Sequence, residues 1–311
     1  SASNQMAKKL GLVLDVNALA KRAKDRSIDE EARVESLKTL GQMGDEVAIT
    51  TARALLEGPS PVLRATAAEV LAVDDPDTVL NYLKTTGLKS DNLPEAQRAV
   101  RTLAGLKQSE VPDMMINMLE WVANGNAPGG LHLDVFQAAE TMGEKHPEIS
   151  KKLDSLRENL AKKKPLGIFQ LATEGGDAVR GERVFQTHLS AQCTLCHRVG
   201  DEGSDVGPPL TDAGRHSRSY LLESLIHPQA EVTPGYGFTT VTMENGKIFT
   251  GTLESENEAS ITIATTDGEK HVLALADVSG RTDPISTMPP MGEILTLEEL
   301  RNLVTYLKQL N

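Results

Sequence analysis

The chain has 311 residues, enough for two or three domains, and its low aromatic content of 3% fits a helix-rich part packed with small and aliphatic side chains. The net charge of −12 argues against nucleic acid as a partner, because phosphate binding requires clustered Lys and Arg. No apolar run is long enough to span a bilayer, and the opening stretch SASNQMAKKL lacks the pattern of a secretory signal peptide.

Residues 1–164 are predicted to form one helix after another. Apolar residues at helical spacing recur in DEEARVESLKTLGQMG, SPVLRATAAEVLAVDDP and LPEAQRAVRTLAGLK, and more loosely in LDVFQAAETMGEKHP. The equivalent leucines Leu40, Leu71 and Leu103 follow one another at intervals of 31 and 32 residues. A fixed period of this size is typical of an α-solenoid, and the pattern resembles HEAT-type repeats, with an irregular helical bundle as the alternative. The lysine-rich stretch AKKKPLG predicts a linker after these helices.

Residues 165–311 are predicted to form a second domain of mixed structure. Short helices are expected in GGDAVRGERVFQTHL and HSRSYLLESLIHP. From about 234 to 282 the apolar residues alternate with polar ones, and the dipeptides Asn-Gly at 245–246 and Asp-Gly at 267–268 indicate tight turns. This pattern predicts four or five antiparallel strands, with a small barrel as one arrangement. A capping box T-x-x-E opens a C-terminal amphipathic helix in LTLEELRNLVTYLKQLN.

The chain has only two cysteines, and they lie in the motif CTLCH as Cys193 and Cys196, followed by His197. A structural zinc site needs four ligands, and recruiting His188 or His216 would give a spacing that fits no standard zinc module. A thioredoxin-like redox pair usually lies at a strand-to-helix turn in a βαβ unit, which the surrounding sequence does not predict. C-x-x-C-H is the attachment motif of c-type haem: two thiols one helical turn apart form thioethers to the vinyl groups, and the histidine binds the iron. Haem c is therefore the favoured interpretation.

The sequence around the motif offers further residues for a haem pocket. The segment GPPL places Pro208 and Leu210 shortly after the histidine, where the Pro208 carbonyl could accept a hydrogen bond from Nδ1 of His197 and so orient the ring. Met288 and Met291, in TMPPMGEIL, are candidates for a sixth ligand, and a thioether in that position raises the reduction potential.

Several stretches of residues 175–311 carry a resemblance to a known family. They are GGDAVRGERVF, CTLCHRVG, GSDVGPPLTDAGRHSRSYLLESLIHP, GKIFTGTL, the pair MP and LRNLVTYLKQL. Together they resemble the haem-binding domain found at the C-terminus of large secreted proteins of planctomycetes and related bacteria, a class I cytochrome c with an insertion. The resemblance implies a mainly α fold in which the strands at about 234–282 form the insertion. Members of this group often carry HEAT-like repeats before the haem domain.

The resemblance also implies roles for individual residues. The pair MP selects Met288 over Met291 as the iron ligand. In class I cytochromes a Gly and an aromatic residue of the first helix cross the last helix, which here implies Gly181 and Phe185 against Leu303 and Tyr306. His227 is a departure, since the family pattern more often has an acidic residue before this proline, and it leaves bis-His ligation as a minor alternative.

The expected function is electron transfer by one covalently bound haem c, ligated by His197 and Met288. The expected partners are a donor dehydrogenase, such as a sugar-oxidising enzyme, and a downstream acceptor. Because haem is attached by this motif outside the cytoplasm, the expected location is the periplasm or the cell surface. Two alternatives remain: a haem enzyme or sensor with a labile sixth ligand for peroxide or a small gas, and a repeat-based interaction scaffold. Arg215 and Arg218 are candidates for pairing with haem propionates, and the equal alternative is that both are solvated surface residues.

Overall fold

A computed structural model describes residues 15–311, and the opening stretch considered above lies outside the described residues. The chain is mainly helical with a small antiparallel sheet. It divides into two compact units between residues 158 and 159. Among the described residues, no helix combines the length and the apolar character that crossing a membrane requires.

The first unit is a succession of short helices. They are α1 (Val16–Lys24), α2 (Glu30–Met43), α3 (Glu46–Leu56), α4 (Pro61–Leu71), α5 (Pro76–Thr85), α6 (Leu93–Gly105), α7 (Val111–Ala123), α8 (His132–Gly143) and α9 (Pro147–Ala161). Local sequence explains where several of them begin. The side chains of Asp29, Asp45, Ser60 and Asn92 accept a hydrogen bond from the backbone N–H three residues later, which satisfies a donor that the helix leaves unpaired.

Alternate helices of this unit pack in a row, α2 on α4, α4 on α6 and α6 on α8. The predicted core leucines Leu40, Leu71 and Leu103 are fully buried. Polar side chains join neighbouring members of the row at a similar interval, as in the ion pairs Arg64–Glu95 and Arg101–Asp134, whose partners are 31 and 33 residues apart. This arrangement is compatible with a helical repeat.

The second unit has three α-helices, α10 (Ala178–Thr187), α11 (Arg218–Ile226) and α12 (Leu297–Leu307). Their apolar faces form one core that includes the fully buried side chains Leu222, Leu300 and Val304. The predicted capping box of α12 is present: Thr296 accepts from the backbone N–H of Glu299, and the Glu299 carboxylate accepts from that of Thr296.

The predicted crossing of α10 and α12 is confirmed. A Cβ atom on Gly181 would lie only 2.0 Å from the carbonyl oxygen of Asn302, so the missing side chain allows the two backbones to touch. One turn further along α10, Phe185 packs against Tyr306 with ring centroids 5.7 Å apart. The nearest backbone to the glycine belongs to Asn302 rather than to the neighbouring Leu303.

The sheet elements all lie in the second unit. They are β1 (Arg198–Val199), β2 (Glu202–Gly203), β3 (Gly237–Met243), β4 (Ile248–Glu256), β5 (Ser260–Thr265), β6 (Lys270–Ala274) and β7 (Val278–Arg281). Strands β1 and β2 form a two-stranded pair, and the other five form an antiparallel sheet in the order β6-β5-β4-β3-β7. The turn glycines Gly246 and Gly268 have φ values of 80° and 88°, as the predicted tight turns require.

The five-stranded sheet is open rather than a closed barrel. Strands β6 and β7 are its edges, and no ladder joins them among the described residues. Its small core is formed by Val241, Met243, Ile261, Ile263 and Leu273, which lie in the stretch of alternating apolar residues that predicted the strands. The sheet stays open because of its topology. Strands β4, β5 and β6 add in turn on one side of β3, whereas β7 pairs with β3 on its other side.

Candidate functional site

The two cysteines lie on a single tight turn. Residues Cys193–Leu195 form a 3-10 turn in which the backbone N–H groups of Cys196 and His197 donate to the Cys193 carbonyl at 3.1 and 2.8 Å. The turn follows Gln192, whose φ of 45° is in the left-handed region that residues other than glycine rarely adopt. The three chemically active residues are thus held by local backbone bonds within one turn.

Both thiols are free, and they differ in exposure. Cys193 is half-buried, whereas Cys196 is exposed. Burial raises the pKa of the Cys193 thiol, so it stays protonated near neutral pH. A disulfide oxidoreductase needs the opposite, a cysteine whose pKa is lowered so that it reacts as the thiolate. The environment of Cys193 therefore does not favour thiol–disulfide chemistry.

The imidazole of His197 is oriented by a hydrogen bond of 2.8 Å between its Nδ1 and the carbonyl oxygen of Pro208. A carbonyl only accepts, so Nδ1 must donate, and this assigns the proton to Nδ1. Nε2 then has a free lone pair, and among the described residues nothing is hydrogen-bonded to it. A ring fixed in this way, with the other nitrogen available, is the usual arrangement of a metal-ligating histidine.

The loop that carries Pro208 is fitted closely to the histidine. The backbone N–H groups of Gly207 and Leu210 donate to the carbonyls of Cys196 and Arg198, at 2.6 and 2.8 Å. A Cβ atom on Gly207 would lie 2.9 Å from Cε1 of the His197 ring, so a larger residue would push the ring aside. Glycine at position 207 thus permits the contact between the ring and the loop.

All six predicted cofactor residues line one cavity of about 380 Å³. They are Cys193, Cys196, His197, Pro208, Leu210 and Met288. Ligand pockets in proteins usually have volumes of about 300–1,000 Å³ and mainly apolar walls. The walls here are supplied by α10, α11 and α12 through Phe185, Leu221, Leu225, Leu303 and Leu307. The cavity thus brings residues as far along the chain as Leu307, 110 positions after His197, to the single turn of the CTLCH motif.

The two candidate methionines both line the cavity but have different surroundings. Met291 is 4% exposed and belongs to the core formed with α11 and α12. Met288 is half-buried at the edge of that core, in an irregular loop where its backbone N–H donates to Oγ of Ser286 at 3.2 Å. The loop position leaves the Met288 side chain more freedom to adjust to a bound group.

The other histidines considered as ligands differ in whether they line the cavity. His216 lines the cavity and stacks on Tyr220, with ring centroids 4.4 Å apart. His188 and His227 do not line it. Nδ1 of His188 accepts from the backbone N–H of Ala191 at 3.0 Å, and Nε2 of His227 lies 3.1 Å from the carbonyl oxygen of Pro165. The structure therefore does not bring His227 to the site as a second axial histidine.

The two arginines considered for propionate binding make other contacts. Arg215 pairs with Asp212 at 3.2 Å, and Arg218 donates to Oγ1 of Thr305 at 3.3 Å. Neither lines the cavity, and its described walls contain no Lys or Arg. The hydrogen-bonding groups that sequence reasoning missed include Tyr236 and Thr233, from the segment before β3. No local motif identifies these residues as part of the cavity, because they reach it only through the packing of the sheet against the helices.

The donor set of the site fits haem better than a bare metal ion. No group of three or more His, Cys, Asp or Glu side chains able to hold a metal ion occurs in residues 15–311, whereas a structural zinc site uses four such ligands. A haem c with histidine and methionine ligands, in contrast, uses one oriented imidazole and one thioether in an apolar cavity, with two thiols at its edge. No protein-family model matches the chain, and no curated protein matches it. The function is therefore inferred from the residues of this cavity.

Proposed function

We propose that residues 165–311 form a class I cytochrome c domain with one covalently attached haem c, and that the protein transfers electrons. The observation that supports this most strongly is the His197 ring, with Nδ1 donating to Pro208 at 2.8 Å and Nε2 free, in a cavity that also holds Cys193, Cys196 and Met288. The resemblance to the C-terminal haem domain of planctomycete secreted proteins agrees with this proposal, as does the contact of Gly181 with α12.

Each of these residues has a defined task in the proposal. The thiols of Cys193 and Cys196 would hold the cofactor as thioethers at its two vinyl positions, and Nε2 of His197 would bind the iron. A haem c bound here supplies one-electron redox chemistry. Pro208 keeps the proton on Nδ1, and the Leu221 and Leu225 side chains help to exclude water from the cavity. No proton transfer is required of any residue.

Met288 is the proposed sixth ligand. Its thioether favours the ferrous form and so raises the reduction potential, within a range of roughly 0.8 V that axial ligands span across haem proteins. Glu231 at the cavity acts in the opposite direction, because its negative charge favours the more positive ferric state, whereas Asp212 is paired with Arg215. The potential is set by the balance of these two effects.

The helical unit is proposed to be a HEAT-like repeat domain that binds a partner or supports the haem domain. Helical repeats present extended surfaces to other proteins. The proposed partners are a dehydrogenase that donates electrons, such as a sugar-oxidising enzyme, and an acceptor protein. Because haem is attached to C-x-x-C-H outside the cytoplasm, the proposed location is the periplasm or the cell surface.

The test is expression of the full chain with export and a cytochrome c maturation system. We expect the mass of the protein to increase by one intact haem, because addition of a thiol to a vinyl group releases no atoms, and we expect the pyridine haemochrome spectrum of a two-thioether haem. The double variant Cys193→Ala, Cys196→Ala is the control and should lose both signals. A colourless matured wild-type protein would overturn the proposal.

The ferric spectrum then separates electron transfer from chemistry at the iron. A low-spin spectrum with the weak far-red methionine-to-iron band supports electron transfer. A high-spin spectrum that changes on addition of peroxide or cyanide would instead support the alternative of an enzyme or sensor with a labile sixth ligand.

A further inference from the structure

Gln229 makes an unusual pair of reciprocal hydrogen bonds to the loop that carries Met288. Its Nε2 donates to the carbonyl oxygen of Ser286 at 2.7 Å, and its Oε1 accepts from the backbone N–H of Ser286 at 2.9 Å. The two residues are 57 positions apart in the chain, and the strands of the five-stranded sheet lie between them in the sequence. A side-chain amide here imitates the pairing of a neighbouring β-strand.

The same loop is attached to the sheet itself. Phe238 in β3 and Ile285 exchange two backbone hydrogen bonds, of 2.8 and 2.9 Å, as an isolated antiparallel bridge. A Cβ atom on Gly237 would lie 2.5 Å from Cβ of Pro284, so strand and loop are in close contact there as well. Ser286 continues these loop contacts towards Met288, because the Oγ of Ser286 accepts a hydrogen bond from the backbone N–H of Met288 at 3.2 Å.

We propose that Gln229 is a positioning residue that holds the Met288 loop in place, with β3 as its second support, so that the strand insertion braces the proposed iron ligand. This inference rests on the proposed function, since it assigns Met288 the role of the sixth ligand. It gives the insertion a task within the haem domain itself. Without the two hydrogen bonds from Gln229, which we call the clamp, the loop of Ser286 and Met288 keeps its attachments to β3 at Pro284 and Ile285.

Glutamine is the residue that this arrangement requires. The carbonyl oxygen of Ser286 needs a donor and its N–H needs an acceptor, and only a side-chain amide offers both in one plane. The reciprocal pattern also determines the orientation of the amide, because the opposite assignment would direct the NH₂ group at an N–H. A glutamate at position 229 has the same shape but places a carboxylate oxygen against the Ser286 carbonyl.

The experiment compares the haem-loaded full chain with the variants Gln229→Ala and Gln229→Glu. Imidazole is titrated into the ferric protein, where it competes with the methionine for the iron. Loss of the clamp should lower the imidazole concentration needed for half-displacement by about fivefold or more, since one hydrogen bond typically shifts an equilibrium by that factor. The far-red band should weaken in both variants, and hydrogen exchange of the peptide containing residues 284–290 should become faster.

Gln186→Ala is the matched control. Gln186 is an exposed glutamine on α10 whose Nε2 donates to Oε1 of Glu182 at 3.4 Å, and it does not line the cavity. Its removal should leave the imidazole titration unchanged. A merely structural role of Gln229 would lower the stability of the unit without changing the ratio between methionine and imidazole at the iron.

The outcomes separate this inference from the proposed function. A wild-type protein that holds haem and shows the far-red band, with Gln229 variants that bind imidazole as the wild type does, would overturn the positioning role alone. A wild-type protein without covalent haem would overturn the proposed function, whatever hydrogen exchange shows for the loop. Slower rather than faster exchange in Gln229→Ala would also contradict the clamp.

Discussion

Replacing Gly181 with alanine tests the helix contact on which the cavity depends. The new Cβ would lie 2.0 Å from the carbonyl oxygen of Asn302 and 2.8 Å from Cβ of Tyr306, where ordinary contact begins near 3.4 Å. Helices α10 and α12 must therefore move apart by about 1.4 Å at this point. Such a shift also disturbs the hydrogen bond of 2.8 Å from the backbone N–H of Asp177 to Oδ1 of Asn302.

Two opposing effects determine the size of the change. Alanine in place of glycine within a helix stabilises a protein by roughly 0.5–1 kcal/mol, and overpacking of a closely fitted contact costs about 1–3 kcal/mol. Because the nearest atoms belong to backbone, which yields less easily than a flexible side chain, the clash should dominate. We expect the free energy of unfolding of this unit to fall by about 1–2 kcal/mol.

The assay is urea unfolding followed by far-ultraviolet circular dichroism and by tryptophan fluorescence. The single tryptophan, Trp121, lies in α7 and reports on the helical unit, so a transition seen by dichroism alone belongs to the second unit. The control is Gly105→Ala, because Gly105 is the exposed last residue of α6 and has no atom within 4 Å of an added Cβ. A Gly181→Ala protein as stable as the wild type, with an equally unaffected control, would refute the reasoning.

Further predictions concern the second ligand and the helical unit. In haem-loaded protein, Met288→Ala should abolish the far-red band, while Met291→Leu, which keeps the core filled, should retain it; the reverse result would assign Met291 as the ligand. Glu95 is 1% exposed and accepts hydrogen bonds from Arg64, Tyr82 and Ser90. Replacing Glu95 by alanine should lower the free energy of unfolding of the helical unit by about 3–5 kcal/mol. The measurement is the urea midpoint followed by Trp121 fluorescence. Burial alone would raise the pKa of Glu95, but these hydrogen bonds outweigh it and the pKa is lowered. The stability it contributes is therefore present above the unfolded pKa of 4.5 and is lost as the pH falls through the lower folded pKa. A urea midpoint that stays constant between about pH 6 and about pH 3 would contradict this prediction.

Much of the local structure could be predicted from the sequence. The periodic leucines, the capping box of the last helix, the tight turns with glycine and the alternation at about 234–282 are all found in the elements they predicted. The chemistry of the CTLCH motif is local as well, because the turn that presents Cys193, Cys196 and His197 is formed by hydrogen bonds within five residues. Such features depend on neighbours in the chain, and a sequence displays them directly.

Other features depended on how distant segments meet. Arg215 and Arg218 were plausible partners of a propionate by chemistry, yet packing directs them to Asp212 and Thr305. The bonds between Gln229 and Ser286 and the presence of Tyr236 in the cavity wall arise because the sheet begins and ends beside the helices. The sequence by itself determined which groups are candidates for binding a haem and which segments form helices or strands. Only the tertiary structure decided which side chains share the cavity, because contacts across 57 or more residues leave no periodic trace in the chain.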